Sequence, residues 1–182
     1  SLVDAAMATD PASGGVLLFG GYSTINGALV ANDTWRWDGW TWNQVASGGP
    51  SARYQASAWS HGNVVYLFGG QDAGSAWLND TWAWNGTAWS SVTTSTSPQA
   101  RRNTAVVFDA ARGEAVLFSG AQQGVITNDT WTFDGSTWQL RSPATSPPAR
   151  YGHALAYDPV RSRVVMFGGA GLTATGLDDT WE

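Results

Sequence analysis

Val64-Val65-Tyr66-Leu67-Phe68-Gly69-Gly70, followed by a polar loop and then Asp80-Thr81-Trp82, is the stretch that decides the fold, because the chain repeats it. Phe19-Gly20-Gly21, Phe118-Ser119-Gly120 and Phe167-Gly168-Gly169 are its other copies. The four Phe residues fall at 19, 68, 118 and 167, which is 49, 50 and 49 residues apart. The Trp residues Trp35, Trp82, Trp131 and Trp181 keep the same rhythm. A fixed period of this size means tandem supersecondary units, each burying its apolar face against the next.

Each unit reads as four short strands. In the third unit they are expected over 103–108, 114–118, 129–133 and 136–140, all rich in Val, Thr, Phe, Trp or Leu and bounded by turn residues. Asp38-Gly39, Asn85-Gly86 and Asp134-Gly135 separate the third and fourth strands and suggest type I′ turns. A four-stranded antiparallel meander at this period is one blade of a β-propeller. The first strands are rich in small residues (Ala5-Ala6, Ala56-Ser57-Ala58, Ala154-Leu155-Ala156), which suits convergence on an axis. The fourth strands carry Trp42, Trp89 and Trp138, which suits the splayed periphery.

The paired Gly after an apolar strand, the variable loop, the aromatic third strand and the Trp of the fourth together resemble the kelch repeat. So does the Pro-Ala-Arg or Pro-x-Ala-Arg that precedes a first strand, ending at Arg53, Arg101 and Arg150. Ser119 departs from the pattern and implies an altered turn. The resemblance implies an all-β, kelch-type propeller that works as a binding module, with a minority of enzymes in the family. Blades are expected at about 1–47, 50–97, 98–146 and 147–182, the last of them incomplete. A single propeller region, forming a partial ring or part of a larger one and prone to self-association that completes the ring, is therefore expected.

Composition narrows the chemistry. The net charge of −5, without a basic run, argues against nucleic acid. No apolar run approaches the roughly 20 residues that span a bilayer, so no membrane insertion is expected. Cys is absent, which removes thiolate metal sites, Cys nucleophiles and disulfides. His61 and His153 fall at different phases of the repeat, so neither a shared metal nor a cofactor is expected. The abundance of Ala, Thr, Gly and Trp without Lys suggests a bacterial, secreted protein, extracellular or periplasmic.

The repeated residues are read as structural: Gly20, Gly21, Gly69, Gly70, Gly168 and Gly169 for the turn, and Trp35, Trp82, Trp131 and Trp181 for the blade interfaces. Asp33, Asp80, Asp129 and Asp179 are expected to accept backbone N–H groups. Candidate ligand-binding residues lie in the loops after the second strands and at the entry to the first. They are Tyr22, Asp72 and Arg102, which have no counterpart in other units, and Arg53, Arg101 and Arg150. The three repeated Arg are expected either to grip an acidic ligand or, by the heavier weighting, to pair locally within their blades. The function expected is non-catalytic binding of a protein, peptide or glycan. The alternative is a structural or assembly unit of a larger surface protein, and a carbohydrate-active enzyme is less favoured.

Overall fold

The computed structural model describes residues 2–23, 29–173 and 176–182. Among them there is no helix, and the chain forms a β-propeller of four antiparallel blade sheets, with two further two-stranded ribbons, Tyr22–Ser23 with Leu29–Val30 and Arg53–Tyr54 with Gln71–Asp72. Blade one comprises Ala6–Asp10, Gly15–Phe19, Thr34–Trp37 and Trp42–Ala46. Blade two comprises Ser57–His61, Val64–Phe68, Thr81–Trp84 and Trp89–Val92. In blade three the strands are Ala105–Asp109, Glu114–Gln122, Val125–Phe133 and Trp138–Arg141. Blade four has three: Ala154–Asp158, Arg163–Phe167 and Thr180–Trp181. Strands follow one another across each sheet in chain order, as a meander requires.

The first strand of each blade lies innermost, as its small residues suggest. Neighbouring inner strands touch through side chain to backbone bonds: Ser57 Oγ donates to the Thr104 carbonyl at 2.6 Å, and Ser60 Oγ to that of Thr9. At the axial mouth Asp4, Gln55, Asn103 and Gly152 all adopt positive φ. There the Gln55 N–H donates to the Asp4 carbonyl (2.9 Å), Asn103 to Gln55 (3.1 Å) and Gly152 to Asn103 (2.9 Å). One backbone thread thus links the four blades around the axis.

The apolar cores lie between blades, not within them. Trp59, Tyr66 and Phe68 of blade two bury against Ala115, Leu117, Phe133 and Trp138 of blade three. Between blades one and two, Ala6 and Phe19 meet Leu67, with Trp82 and Trp89 packed on them. Trp59 is thus a core residue, stacked on Tyr66. The outer-strand Trp seats itself on the preceding blade. Trp89 Nε1 donates to Thr34 Oγ1 and Trp138 Nε1 to Thr81 Oγ1, both at 2.9 Å. The third-strand Trp share this work, since Trp82 and Trp131 flank the same clusters.

Two expectations about turns need correction. Asp38-Gly39, Asn85-Gly86 and Asp134-Gly135 do not form type I′ turns, because only their glycines have positive φ. The loops instead close on the Asx side chain: Asp38 Oδ1 accepts the N–H groups of Trp40 and Thr41, and Asn85 and Asp134 do the same. In the third unit the second and third strands run longer than expected, through Gln122 and from Val125, around a bulge at Phe118–Gly120. Ser119 is accommodated there at φ 57°. A Cβ on Gly20 or Gly69 would meet the next blade's Arg53 or Arg101 carbonyl at 2.4 or 2.7 Å. Ser119 turns that collision into a bond, since its Oγ donates to the Arg150 carbonyl at 2.5 Å.

The arc stays open between blades four and one. No hydrogen bond or ion pair between described residues joins them. Phe167 is 54% exposed, whereas Phe19, Phe68 and Phe118 at the same register are 2%, 0% and 5% exposed. Trp42 of blade one is likewise 41% exposed. Trp138→Ala therefore costs about 3–5 kcal/mol in denaturant unfolding, whereas Trp42→Ala costs less than about 1 kcal/mol. Equal losses would contradict this assignment of the interfaces.

Candidate functional site

Blades two, three and four each carry a buried clasp. Arg53, Arg101 and Arg150 enter their blades fully buried. Nε of each donates to a carbonyl two residues back, that of Ser51, Gln99 or Pro148. Nη1 donates to the carbonyl of the first residue of the turn pair: Gly69, Ser119 or Gly168. The two Nη atoms grip a carboxylate bidentately. Arg53 holds Asp80 at 2.6 and 2.8 Å, Arg101 holds Asp129 at 2.8 and 2.7 Å, and Arg150 holds Asp179 at 2.6 and 2.8 Å. The same carboxylates accept Trp82, Trp131 and Trp181 Nε1.

The repeat Asp residues thus accept side-chain donors, not the loop backbone expected for them. Asp33, in the blade where Leu2 stands at the Arg register, accepts Gln44 Nε2 instead (2.7 Å). Arg53, Arg101 and Arg150 make the local pairs that the heavier weighting favoured, and their donors are taken up by acceptors of their own blades. They are removed from the ligand-facing set.

The clasp carboxyls titrate low. Burial raises Asp80 and Asp129, but hydrogen bonds and charge from Arg53 and Arg101 outweigh it and leave both below the ordinary value. Asp179 is lowered by Arg150 first and Trp181 second. Their stabilisation is therefore complete above the unfolded-state carboxyl value of about 4 and is lost as pH falls through the lower folded values.

On the loop face the register brings two unmatched residues together. The residue after each clasp position pairs with the residue after each turn pair: Val3 with Tyr22, Tyr54 with Gln71, Arg102 with Ala121, and Tyr151 with Ala170. This presents Tyr22 of blade one and Tyr54 of blade two side by side, ring centroids 5.6 Å apart. They line an open cavity of about 460 Å³ with Asp4, Val30, Asp72 and Ser75. Tyr22 and Asp72, singled out from sequence, share this wall.

Arg102 stands behind the wall. Its Nη1 donates to Gln71 Oε1 (2.6 Å) and Gln55 Oε1 (3.0 Å), and its guanidinium lies 4.9 Å from the Trp77 ring centroid. Gln71 Oε1 also accepts the Tyr54 hydroxyl at 2.8 Å, so Arg102 fixes Tyr54 through Gln71. Gln55 Nε2 donates to Asp4 Oδ2 at 2.9 Å, which places the second carboxylate. Tyr54, Asp4 and Gln71 escaped the sequence reading, because they sit at strand entry and belong to the wall only through pairing between segments. The parts of the candidate loops at 24–28 and 174–175 lie outside the described residues.

The wall therefore offers two phenol rings and two carboxylates. No group of three or more His, Cys, Asp or Glu side chains among the described residues could hold a metal ion. His61 stacks on Phe108, and His153 packs edge-on to Phe118 with its pKa pushed down to about 4 by burial and by Arg150.

A family model described as the KLHDC2/KLHL20/DRC7 Kelch-repeats domain matches residues 2–169. No curated protein matches the chain.

Stability in urea should begin to fall below about pH 6.5, as the unfolded chain protonates His153 while the buried imidazole stays neutral to about pH 4, and should fall further below about pH 4 as the clasp carboxylates take up protons. Chemical denaturation across pH measures this, and stability that holds or rises below pH 4 would refute the clasp as drawn.

Proposed function

The chain belongs to the kelch-repeat family, and on that premise we propose that it is a non-catalytic binding module whose ligand docks on the loop face at the Tyr22–Tyr54 wall. The observation that carries this reading is the convergence of Tyr22 and Asp72, from separate blades, on one cavity with Tyr54 and Asp4. Aromatic side chains on a rigid scaffold supply contact area at little entropic cost. The two carboxylates accept hydrogen bonds and donate none, so the ligand brings the donors. A Lys or Arg side chain of a peptide or protein partner fits best, since it can lie over a Tyr ring and reach a carboxylate. The net charge of −5 favours approach of such a partner. A sugar, which also brings donors and stacks on Tyr, is the less favoured ligand.

Assembly is the second reading. The Phe167 face of blade four and Trp42 of blade one are both exposed, and apolar contact between them is what supports this reading. Self-association of two copies through these ends is the form this reading takes.

A peptide-display screen and a glycan array on the chain separate these ligand classes. For the ligand selected, Tyr22→Ala and Asp72→Asn should each weaken affinity at least about tenfold, with melting temperature unchanged. Arg102→Ala should weaken it less, by loosening Tyr54. A ligand whose affinity none of these variants alters would overturn the site.

A further inference from the structure

At the axial mouth the four positive-φ residues that thread the blades together frame a pocket of about 210 Å³. Backbone bonds from Gln55 to Asp4, from Asn103 to Gln55 and from Gly152 to Asn103 hold each neighbouring pair, so contacts between adjacent blades fix its shape. The next residue of each blade completes the lining: Ala5, Ala56, Thr104 and His153. Several of the polar groups here are already committed. Gln55 Oε1 accepts from Arg102, and its Nε2 donates to Asp4. Thr104 Oγ1 donates to the Phe118 and Ser119 carbonyls at 3.0 and 2.9 Å.

Two groups remain. The Asn103 carboxamide makes no hydrogen bond to another described residue. His153 stands where two other blades carry Ala, is 7% exposed, and completes no hydrogen bond through either ring nitrogen. The Phe118 carbonyl lies near enough to favour the protonated ring but outside hydrogen-bond geometry. A buried polar group left unpaired is costly, and this one borders a polar pocket. Burial first and Arg150 second push the His153 pKa down to about 4, so the ring is neutral at pH 7. A neutral imidazole carries one donor and one acceptor, and a carboxamide carries both kinds as well. An anion in the pocket would meet the Asp4 carboxylate, and a cation at His153 would meet the Arg150 charge that already disfavours the imidazolium.

We propose that the axial pocket is a second ligand subsite, which takes a neutral primary carboxamide, the side chain of a Gln or Asn in the partner polypeptide. Asn103 pairs with it amide to amide, and His153 supplies a further hydrogen bond through an unpaired ring nitrogen. At about 30 Å³ per water-sized group the pocket holds about seven such groups, enough for a Gln side chain. Asp4 lines both this pocket and the Tyr22–Tyr54 cavity, so the carboxamide belongs to a residue close in the ligand to the one on the wall. That the carboxamide comes from a polypeptide rests on the reading of the wall, whereas the pocket's preference for a carboxamide does not.

The probe is propionamide, the Gln side chain as a free molecule, titrated into the 15N-labelled chain. NMR follows the His153 ring and the backbone amides of Thr104 and Gly152. Saturable shifts are expected with a Kd of about 100 mM or tighter. The His61 ring, stacked on Phe108 outside the pocket, should not move. Propionate and propylammonium should each bind at least about fivefold more weakly. Asn103→Gly and His153→Ala copy the residues that other blades carry at those registers, Gly152 and Ala5, so the backbone is kept. Each should weaken propionamide at least about fivefold. Ethylguanidinium, which probes the wall through Tyr22 and Asp72 signals, is titrated into the same samples and separates a failed wall from a failed pocket. No saturable shift with propionamide at about 500 mM, equal binding of propionate or propylammonium, or an affinity that neither variant alters would each overturn the proposal.

Discussion

A buried guanidinium is the point on which blades two, three and four turn. Arg53, Arg101 and Arg150 lie where the chain enters a new blade, and each spends its donors on three separate segments of that blade. The backbone carbonyls of the same residues accept N–H groups from the preceding blade: Gly21 donates to Arg53, Gly70 to Arg101 and Gly120 to Arg150. One position therefore sets both the closure of a blade and its spacing from its neighbour. A charge buried so completely is tolerated only because its partners are satisfied, and removing one partner is costly.

The glycine pair follows from this arrangement. Its positive φ turns the second strand away from the sheet just where the next blade's Arg carbonyl approaches. Gly20 and Gly69 leave that carbonyl room, and Ser119 meets it with a hydroxyl. The turn then delivers the following residue to a short bridge with the entry segment, which is how Tyr22 and Tyr54 reach the loop face. The binding wall is thus a consequence of the clasp, and its aromatic and acidic residues are the variable part laid over a constant frame.

Much of the frame was legible because the period is. The strands and the inward order of the small-residue strand follow from repeated spacing, whereas the seating of Trp89 and Trp138 on the preceding blade does not, because spacing placed them only at the periphery and gave the interfaces to the third-strand Trp. The clasp was only half legible: the Arg and the Asp each recur, but Arg101 meets Asp129 through blade geometry that spacing alone does not give. The Asp-Gly turns misled, since Asp-Gly serves both a two-residue I′ turn and a longer loop closed by the Asp side chain. Tyr22 and Asp72 stood out because nothing matches them in other units. Tyr54 and Asp4 did not, as their place in the wall depends on which segments pair.

The most direct test of the clasp is a double-mutant cycle on Arg101 and Asp129, using Arg101→Met, Asp129→Ala and the pair, read by denaturant unfolding. Asp129→Ala strands a fully buried guanidinium and should cost about 3–5 kcal/mol, Arg101→Met leaves a carboxylate that is 24% exposed and should cost less, and the pair should cost clearly less than the sum of the two. Single costs that are small and simply add would show that the two side chains do not hold the blade together.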